Sequence, residues 1–309
     1  MAQMLYQRDI YGQTLVELGK KDPNIVVLDA DLSGSTRTNL FAKEFPARFF
    51  NFGVAEQNMM ATAAGLASCG KTVFVSTFAI FASGRAWDQV RNSVCYNNFD
   101  VKIVASHAGI TVGPDGASHQ ALEDIALMRT IVNMNVIVPG DGPQTRDAVL
   151  AAAKQAGPFY IRIGRPKVAT LEIKSEFQFG KAQILREGKD ISIIACGLLV
   201  NEAVSAAKLL SEKGIKVRVI NMHTIKPLDS QAVIAAAQET QGIVVCEEHT
   251  IVGGLASAVD EVVAENYPTQ VARIGIRNRF GQSGEPDELM REYNLTAKDI
   301  AKAAEAIIK

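Results

Sequence analysis

NFGVAEQNMM, residues 51–60, decides how the first half of the chain is read. A short apolar run, residues 49–52, ends at Gly53, and residues 54–67, rich in Ala and Met, read as a buried helix. An apolar strand, a glycine turn and a buried helix form the repeating unit of a parallel α/β sheet. Glu56 falls in the first turn of that helix with apolar residues around it. An acid there complements the positive end of a helix. A carboxyl desolvated by apolar neighbours also favours its neutral form, and can then share a proton with a ring nitrogen.

Strand and helix alternate on both sides of this unit. Residues 4–18 have a helical pattern with Arg8 in its first turns. Residues 25–31 (IVVLDAD) are an apolar run ending in two acids, Asp29 and Asp31. Such a run fits a central parallel strand with functional residues at its C-terminal end. The loop 32–36 follows and contains Ser35. Strands at 72–77, 101–106, 136–139 and 159–163 alternate with helices at 78–96, 121–131 and 145–156, predicting a doubly wound parallel sheet.

Residues 164–179 lack clean periodicity and read as a linker. A second unit starts near Ala182, with strands at 191–195, 217–220, 243–246 and 271–276 and helices at 200–213, 230–238, 255–264 and 297–308. The expected fold is α/β: two successive domains, 1–168 and 182–309, joined by a linker at 169–181, each a mainly parallel sheet sandwiched by helices.

Composition narrows the function class. The 309 residues suit about two domains. The net charge is -1 and Lys and Arg are dispersed, which argues against a nucleic-acid partner. The four cysteines lie far apart without CxxC spacing, and read as reduced core residues of a cytoplasmic protein. No N-terminal signal pattern occurs, and no apolar run approaches the roughly 18 residues of a membrane span.

The loop 107–120, HAGITVGPDGASHQ, follows a buried strand and carries His107, Asp115 and His119. Its glycines permit sharp bends and close approach to a ligand. The His/Asp/His spacing matches no recognised zinc pattern, so no metal site is expected on this chain. Phe78 and Phe81 stand three apart, as a core pair or the wall of a flat pocket would. Gly140-Asp141-Gly142 reads as a turn before the next helix. His223 and His249 read as structural residues.

Taken in order, QRDIYGQTLVELG, DADLSGST, FFNFGVAEQNM, STFAIF, RAWDQVR, SHAGITVGPDGASHQALEDIA, FYIRIGRP, HTIKPLD and EEHTIVGGLASAV resemble the C-terminal half of transketolase from end to end. The resemblance covers that family's pyrimidine-binding and C-terminal domains. It implies thiamine diphosphate as cofactor, with the diphosphate and a divalent metal, Mg or Ca, bound mainly by a separately encoded N-terminal subunit. An α2β2 assembly is expected, with the C-terminal domain serving the interface.

By this resemblance Glu56 is the glutamate that meets N1′ of the cofactor's aminopyrimidine and stabilises its imino tautomer. Phe78 and Phe81 are the aromatics that hold that ring, while Ser83-Gly84 stands where a third aromatic would be. His119 lies near the reacting carbon, and Asp31 belongs with the cofactor-binding positions. Asp115 is the aspartate that binds the acceptor's 2-hydroxyl. Arg8, Ser35, His107 and Arg165 form the phosphate-binding set, with Arg162 a weaker match inside a strand. The implied reaction is transfer of a two-carbon ketol unit from a ketose phosphate, such as xylulose 5-phosphate, to an aldose phosphate in pentose metabolism or a related route. The alternatives are the beta subunit of a 2-oxo acid dehydrogenase, a 1-deoxyxylulose-5-phosphate synthase-like enzyme, and a non-catalytic partner-binding subunit.

Overall fold

A computed structural model describes residues 2–173 and 175–308. A seven-stranded sheet runs from edge to edge as Thr224–Lys226, Asn135–Ile137, Phe159–Arg162, Val101–Ser106, Thr72–Phe78, Ile25–Asp29 and Phe49–Asn51. All neighbours in it are parallel except the Thr224–Lys226 edge. Ile25–Asp29 is buried along its whole length, as expected of a strand covered on both faces.

The two faces sort by alternate residues. Ile25 and Val27 join Tyr11 and Leu15 of the helix Gln7–Lys21 and Ala148, Val149 and Ala152 of the helix Gly142–Lys154. Val26 and Leu28 point the other way, onto Met59, Met60 and Ala63 of the helix Glu56–Ser68. This is the period of two that a strand imposes.

A five-stranded sheet follows, ordered Val271–Ile276, Ile243–Thr250, Ile191–Ala195, Val217–Asn221 and Gln183–Arg186. Only Gln183–Arg186 runs antiparallel to its neighbour. One face packs on the helices Leu199–Glu212 and Ala297–Ile308. On the other, Ile194, Ile220 and Val245 lie in one continuous core with Met128, Val136 and Val138 of the first unit. The fold is thus two successive, mainly parallel sheets flanked by helices.

Several elements differ from expectation. Met4–Tyr6 is a strand rather than the start of a helix, paired antiparallel with Lys167–Ala169 inside the predicted linker. Three residues are too few to show a period, and only the distant partner makes them a strand. Thr224–Lys226 comes from the second unit yet completes the first sheet. The predicted helix 78–96 is interrupted: Phe78 ends a strand, and wide π turns at Phe81–Arg85 and Val90–Cys95 flank Trp87–Gln89. Cys69 is exposed, whereas Cys95, Cys196 and Cys246 are buried, and all four are free thiols. No described helix is long and apolar enough to cross a membrane.

Loops leaving the C-terminal ends of the first sheet carry the candidate residues: Ser35 after Ile25–Asp29, Glu56 after Phe49–Asn51, Phe81 after Thr72–Phe78, His107 to His119 after Val101–Ser106, and Arg165 after Phe159–Arg162. That edge is where parallel sheets hold ligands.

Candidate active site

Glu56 opens its helix and is only 1% exposed. The purely apolar surroundings expected of it are absent. Arg85 Nη1 lies 2.9 Å from each of its carboxylate oxygens. The same guanidinium sits 4.5 Å over the Phe81 ring, a cation–π distance. The π turn Phe81–Arg85 sets both groups, and such turns concentrate at functional sites. Arg85 therefore ties the buried carboxylate to the aromatic wall.

That wall is made of three stacked rings and a fourth set edge-on to them. Phe78 and Phe81 lie nearly parallel with centroids 6.1 Å apart. His107 stacks on Phe78 at 3.9 Å. His119 meets Phe78 and Phe81 edge-on at 6.3 and 5.5 Å. His107 is buried and holds a left-handed backbone, φ 57°, which the sharp exit from its strand requires. Its Nδ1 pairs with Ser106 Oγ at 2.9 Å. Burial, reinforced by Arg8 and Arg165, pushes its pKa down to about 3. In the free chain His107 is thus a neutral ring near pH 7, flanked by the guanidiniums of Arg8 and Arg165.

Of the phosphate set, Arg8 donates to the backbone carbonyl of Ser35 at 3.4 Å, not to its hydroxyl. Burial, with Arg37 close by, lowers the pKa of Arg8. Arg165 Nη1 donates to the Val112 carbonyl, and so reaches the loop that bears Asp115. Asp115 is exposed at the end of the Ile110–Asp115 turns, which break at Gly113 (φ 83°). Asp31 is exposed and left-handed, φ 64°, and pairs with Asn51: its N–H donates to Oδ1 at 3.0 Å, and its Oδ1 accepts from Nδ2 at 3.2 Å. Asn51 Oδ1 also accepts the Gly53 N–H at 3.0 Å. Asp31 therefore braces the turn that delivers Glu56.

Sequence reasoning missed two residues at this edge. Arg85 stands in the quoted RAWDQVR, but a regular helix gives no reason to aim it at Glu56. Asp29 is the first acid of IVVLDAD. It accepts the Leu32 N–H at 2.6 Å and the Thr36 and Thr38 hydroxyls at 2.8 Å each, fixing the Ser35 loop. Burial pushes its carboxyl up, against those hydrogen bonds.

Other candidates fall outside the site. Arg162 is buried against Asp124 at 2.8 Å. His249 accepts the Ala126 N–H at 3.3 Å, and His223 packs 4.4 Å from Phe177. Asp141 of the GDG caps the helix Gly142–Lys154 by accepting the Gln144 N–H at 2.8 Å. Among the described residues no group of three or more His, Cys, Asp or Glu converges as a metal site.

A buried carboxylate beside stacked rings, with guanidiniums beyond, suits a flat heterocycle next to an anion, at the sheet edge where α/β chains of this class hold ligands. Residues 3–170 match the transketolase pyrimidine-binding domain and residues 180–300 the transketolase C-terminal domain. A Methanocaldococcus jannaschii protein named for a transketolase C-terminal section is 52% identical, over 94% of this chain and 93% of that protein. The 6-deoxy-6-sulfo-D-fructose transketolase subunit of Clostridium sp. strain MSTE9 is 43% identical, over 97% and 94%. A solved split-gene transketolase, described as an inactive β4 tetramer, is 47% identical with a TM-score of 0.90, covering 99% of each chain. The chain belongs to the transketolase family, as a transferase subunit made of that family's pyrimidine-binding and C-terminal domains. The family uses thiamine diphosphate and a divalent metal.

Proposed function

We infer that this chain supplies the aminopyrimidine side of a thiamine diphosphate site, while a separately encoded N-terminal subunit binds the diphosphate and the Mg or Ca ion. The observation that carries this reading is the Glu56–Arg85–Phe81 arrangement. It sets a nearly water-free carboxylate beside an aromatic slot, with Arg85 2.9 Å from the one and 4.5 Å from the other. A heterocycle with ring nitrogens needs both a π wall and an acceptor for its N–H. When bound, the cofactor supplies carbanion chemistry that no side chain can.

The remaining roles fall to this chain's own residues. Glu56 holds a proton against the ring nitrogen it faces. Phe78 and Phe81 fix the ring plane, and His119 lies where it can hydrogen-bond substrate oxygens. Arg8 and Arg165 take the substrate's terminal anion, with Ser35 beside them. Asp115 accepts the acceptor's 2-hydroxyl. The reaction is transfer of a two-carbon ketol unit between sugar phosphates. The Clostridium relative is named for a sulfonated sugar, and a guanidinium pair suits sulfonate as well as phosphate. Two guanidiniums match the two negative charges of a phosphate, whereas a sulfonate carries one, and on that charge count phosphate is the substrate anion in this reading. The working form is a complex of two copies with two partner copies, in the cytoplasm.

The test mixes the purified chain with its partner subunit, thiamine diphosphate and Mg or Ca. Ketol transfer from xylulose 5-phosphate to an aldose phosphate is expected from the mixture and absent from either chain alone. Glu56→Ala should abolish turnover without dissolving the complex. Efficient pyruvate decarboxylation in place of ketol transfer would sink the reading in favour of a 2-oxo acid dehydrogenase, and activity from this chain alone would sink the split arrangement. The inactive homotetramer of the related chain supports the expected silence of this chain without its partner.

A further inference from the structure

The segment from His107 to Gln120 is gripped by the second unit on two sides. Glu248, near the end of the strand Ile243–Thr250, is 3% exposed. Its Oε1 accepts the Thr111 N–H at 2.7 Å. A Cβ on Gly109 would stand 2.2 Å from the Glu248 carboxyl carbon, so the loop backbone lies directly against the carboxylate, and only glycine fits. Glu248 is itself fixed, since its backbone carbonyl accepts from Arg162 Nη2 at 2.8 Å. On the opposite edge, Gln120 Nε2 donates to the Ile110 and Gln282 carbonyls, each at 2.9 Å. Gly116 abuts Ser283, whose Oγ would lie 2.6 Å from an added Cβ.

We propose that Glu248 is a positioning residue for the substrate loop: by holding the backbone at Gly109 and Thr111 it sets where Asp115 and His119 stand, and so gives the C-terminal domain a part in choosing the acceptor sugar. This rests on the reading of Asp115 as the group that meets the acceptor's 2-hydroxyl. Neither Glu248 nor Thr111 needs to touch substrate. A buried carboxylate suits the task, because an ionised acceptor makes the stronger hydrogen bond to an N–H and its surroundings lock its rotamer. Burial raises the pKa of this carboxyl while Arg162 and the Thr111 N–H oppose the rise.

The experiment uses the enzyme reconstituted with its partner subunit, comparing Glu248→Ala and Glu248→Gln with the wild type. Two readouts are taken: kcat/KM for a 2-hydroxy aldose relative to its 2-deoxy analogue, and amide exchange of the peptide covering residues 108–122. Glu248→Ala is expected to lower the 2-hydroxy preference by about tenfold and to speed exchange at that peptide, since ångström-scale misplacement of a positioning group carries such a cost. Glu248→Gln, which keeps an acceptor oxygen in place, should restore most of both. An unchanged preference together with unchanged exchange in a folded Glu248→Ala enzyme overturns the proposal. Should that variant not fold, Gln120→Leu, which releases the opposite edge, must lower the preference and speed exchange in the same way, or the clamp is wrong. A wild type that turns over but shows no 2-hydroxy preference defeats the Asp115 reading instead, and leaves the exchange data to judge the clamp alone.

Discussion

Arg85 grips both carboxylate oxygens of Glu56 through a single Nη1, 2.9 Å from each. The pair is lopsided: the Glu56 side chain is 1% exposed and that of Arg85 46%. The acid has given up its water, while its counter-ion keeps much of its own. Arg85 is thus the partner that holds the Glu56 carboxylate in place while staying open to solvent on its own outer side.

Removing Arg85 strands a dehydrated carboxylate. Arg85→Ala should destabilise the chain by about 1–3 kcal/mol, below the cost for a wholly buried pair because water reaches the guanidinium. Urea unfolding of the chain alone measures this. Glu56→Gln should recover much of the loss in the double variant, and a coupling near zero would mean that the pair does not persist in solution.

His107 ties stability to pH. Its pKa falls from 6.5 to about 3 on folding, chiefly by burial. Between those values the unfolded ring is protonated and the folded ring is not, so stability rises with pH across that window and is lost as pH falls below 6.5. From pH 7 to 5.5 the contribution lost is about 1 kcal/mol. His107→Asn, which tolerates the left-handed backbone, should remove that part of the slope, whatever its fixed cost at neutral pH. Urea midpoints at the two pH values check this, with other acid-sensitive groups common to both proteins.

Asp29 accepts three donors from the Ser35 loop and offers them no substitute. Asp29→Ala should cost about 2–4 kcal/mol in unfolding free energy, as expected when buried donors lose their acceptor. In the reconstituted enzyme it should also raise the KM for phosphorylated sugars, because the loop opposite Arg8 loses its anchor. A variant with wild-type stability and KM would remove Asp29 from the site's support.

The parallel strands were legible because strands covered on both faces carry mostly apolar runs, such as IVVL before Asp29 and ISIIA around Ser192. Glu56 was legible as a charge out of place among Ala and Met. The edge Thr224–Lys226 and the Met4–Tyr6 pairing with Lys167–Ala169 were not, since partners far away in sequence decide those short segments. Arg85 escaped for a different reason. A period of 3.6 residues assumes a regular helix, and the π turn at Phe81–Arg85 rotates every later side chain off that register. Asp29 was read at the functional end of its strand but given no role, and Glu248 lay beyond the strand read at 243–246, because a carboxylate that holds a loop is told from a solvated one only by what reaches it.

Arg8 and Arg165 offer the sharpest test of the substrate's charge. Both act electrostatically on His107, which burial already keeps neutral in the free chain, so the two guanidiniums are the fixed positive charges beside that ring. Arg8→Gln should raise the KM for a ketose phosphate about 10- to 100-fold, the loss expected when one charged hydrogen-bonding group is removed. Its kcat should stay within a few-fold, and its KM for the unphosphorylated ketose should barely move. Arg165→Gln should do the same and also weaken the 2-hydroxy preference, because Arg165 additionally holds the Val112 carbonyl in the Asp115 loop. Steady-state kinetics with matched phosphorylated, sulfonated and neutral ketoses separates the effects. If Arg8→Gln weakens all three equally, Arg8 shapes the loop around Ser35 rather than binding the anion, and the charge of the substrate must be matched elsewhere.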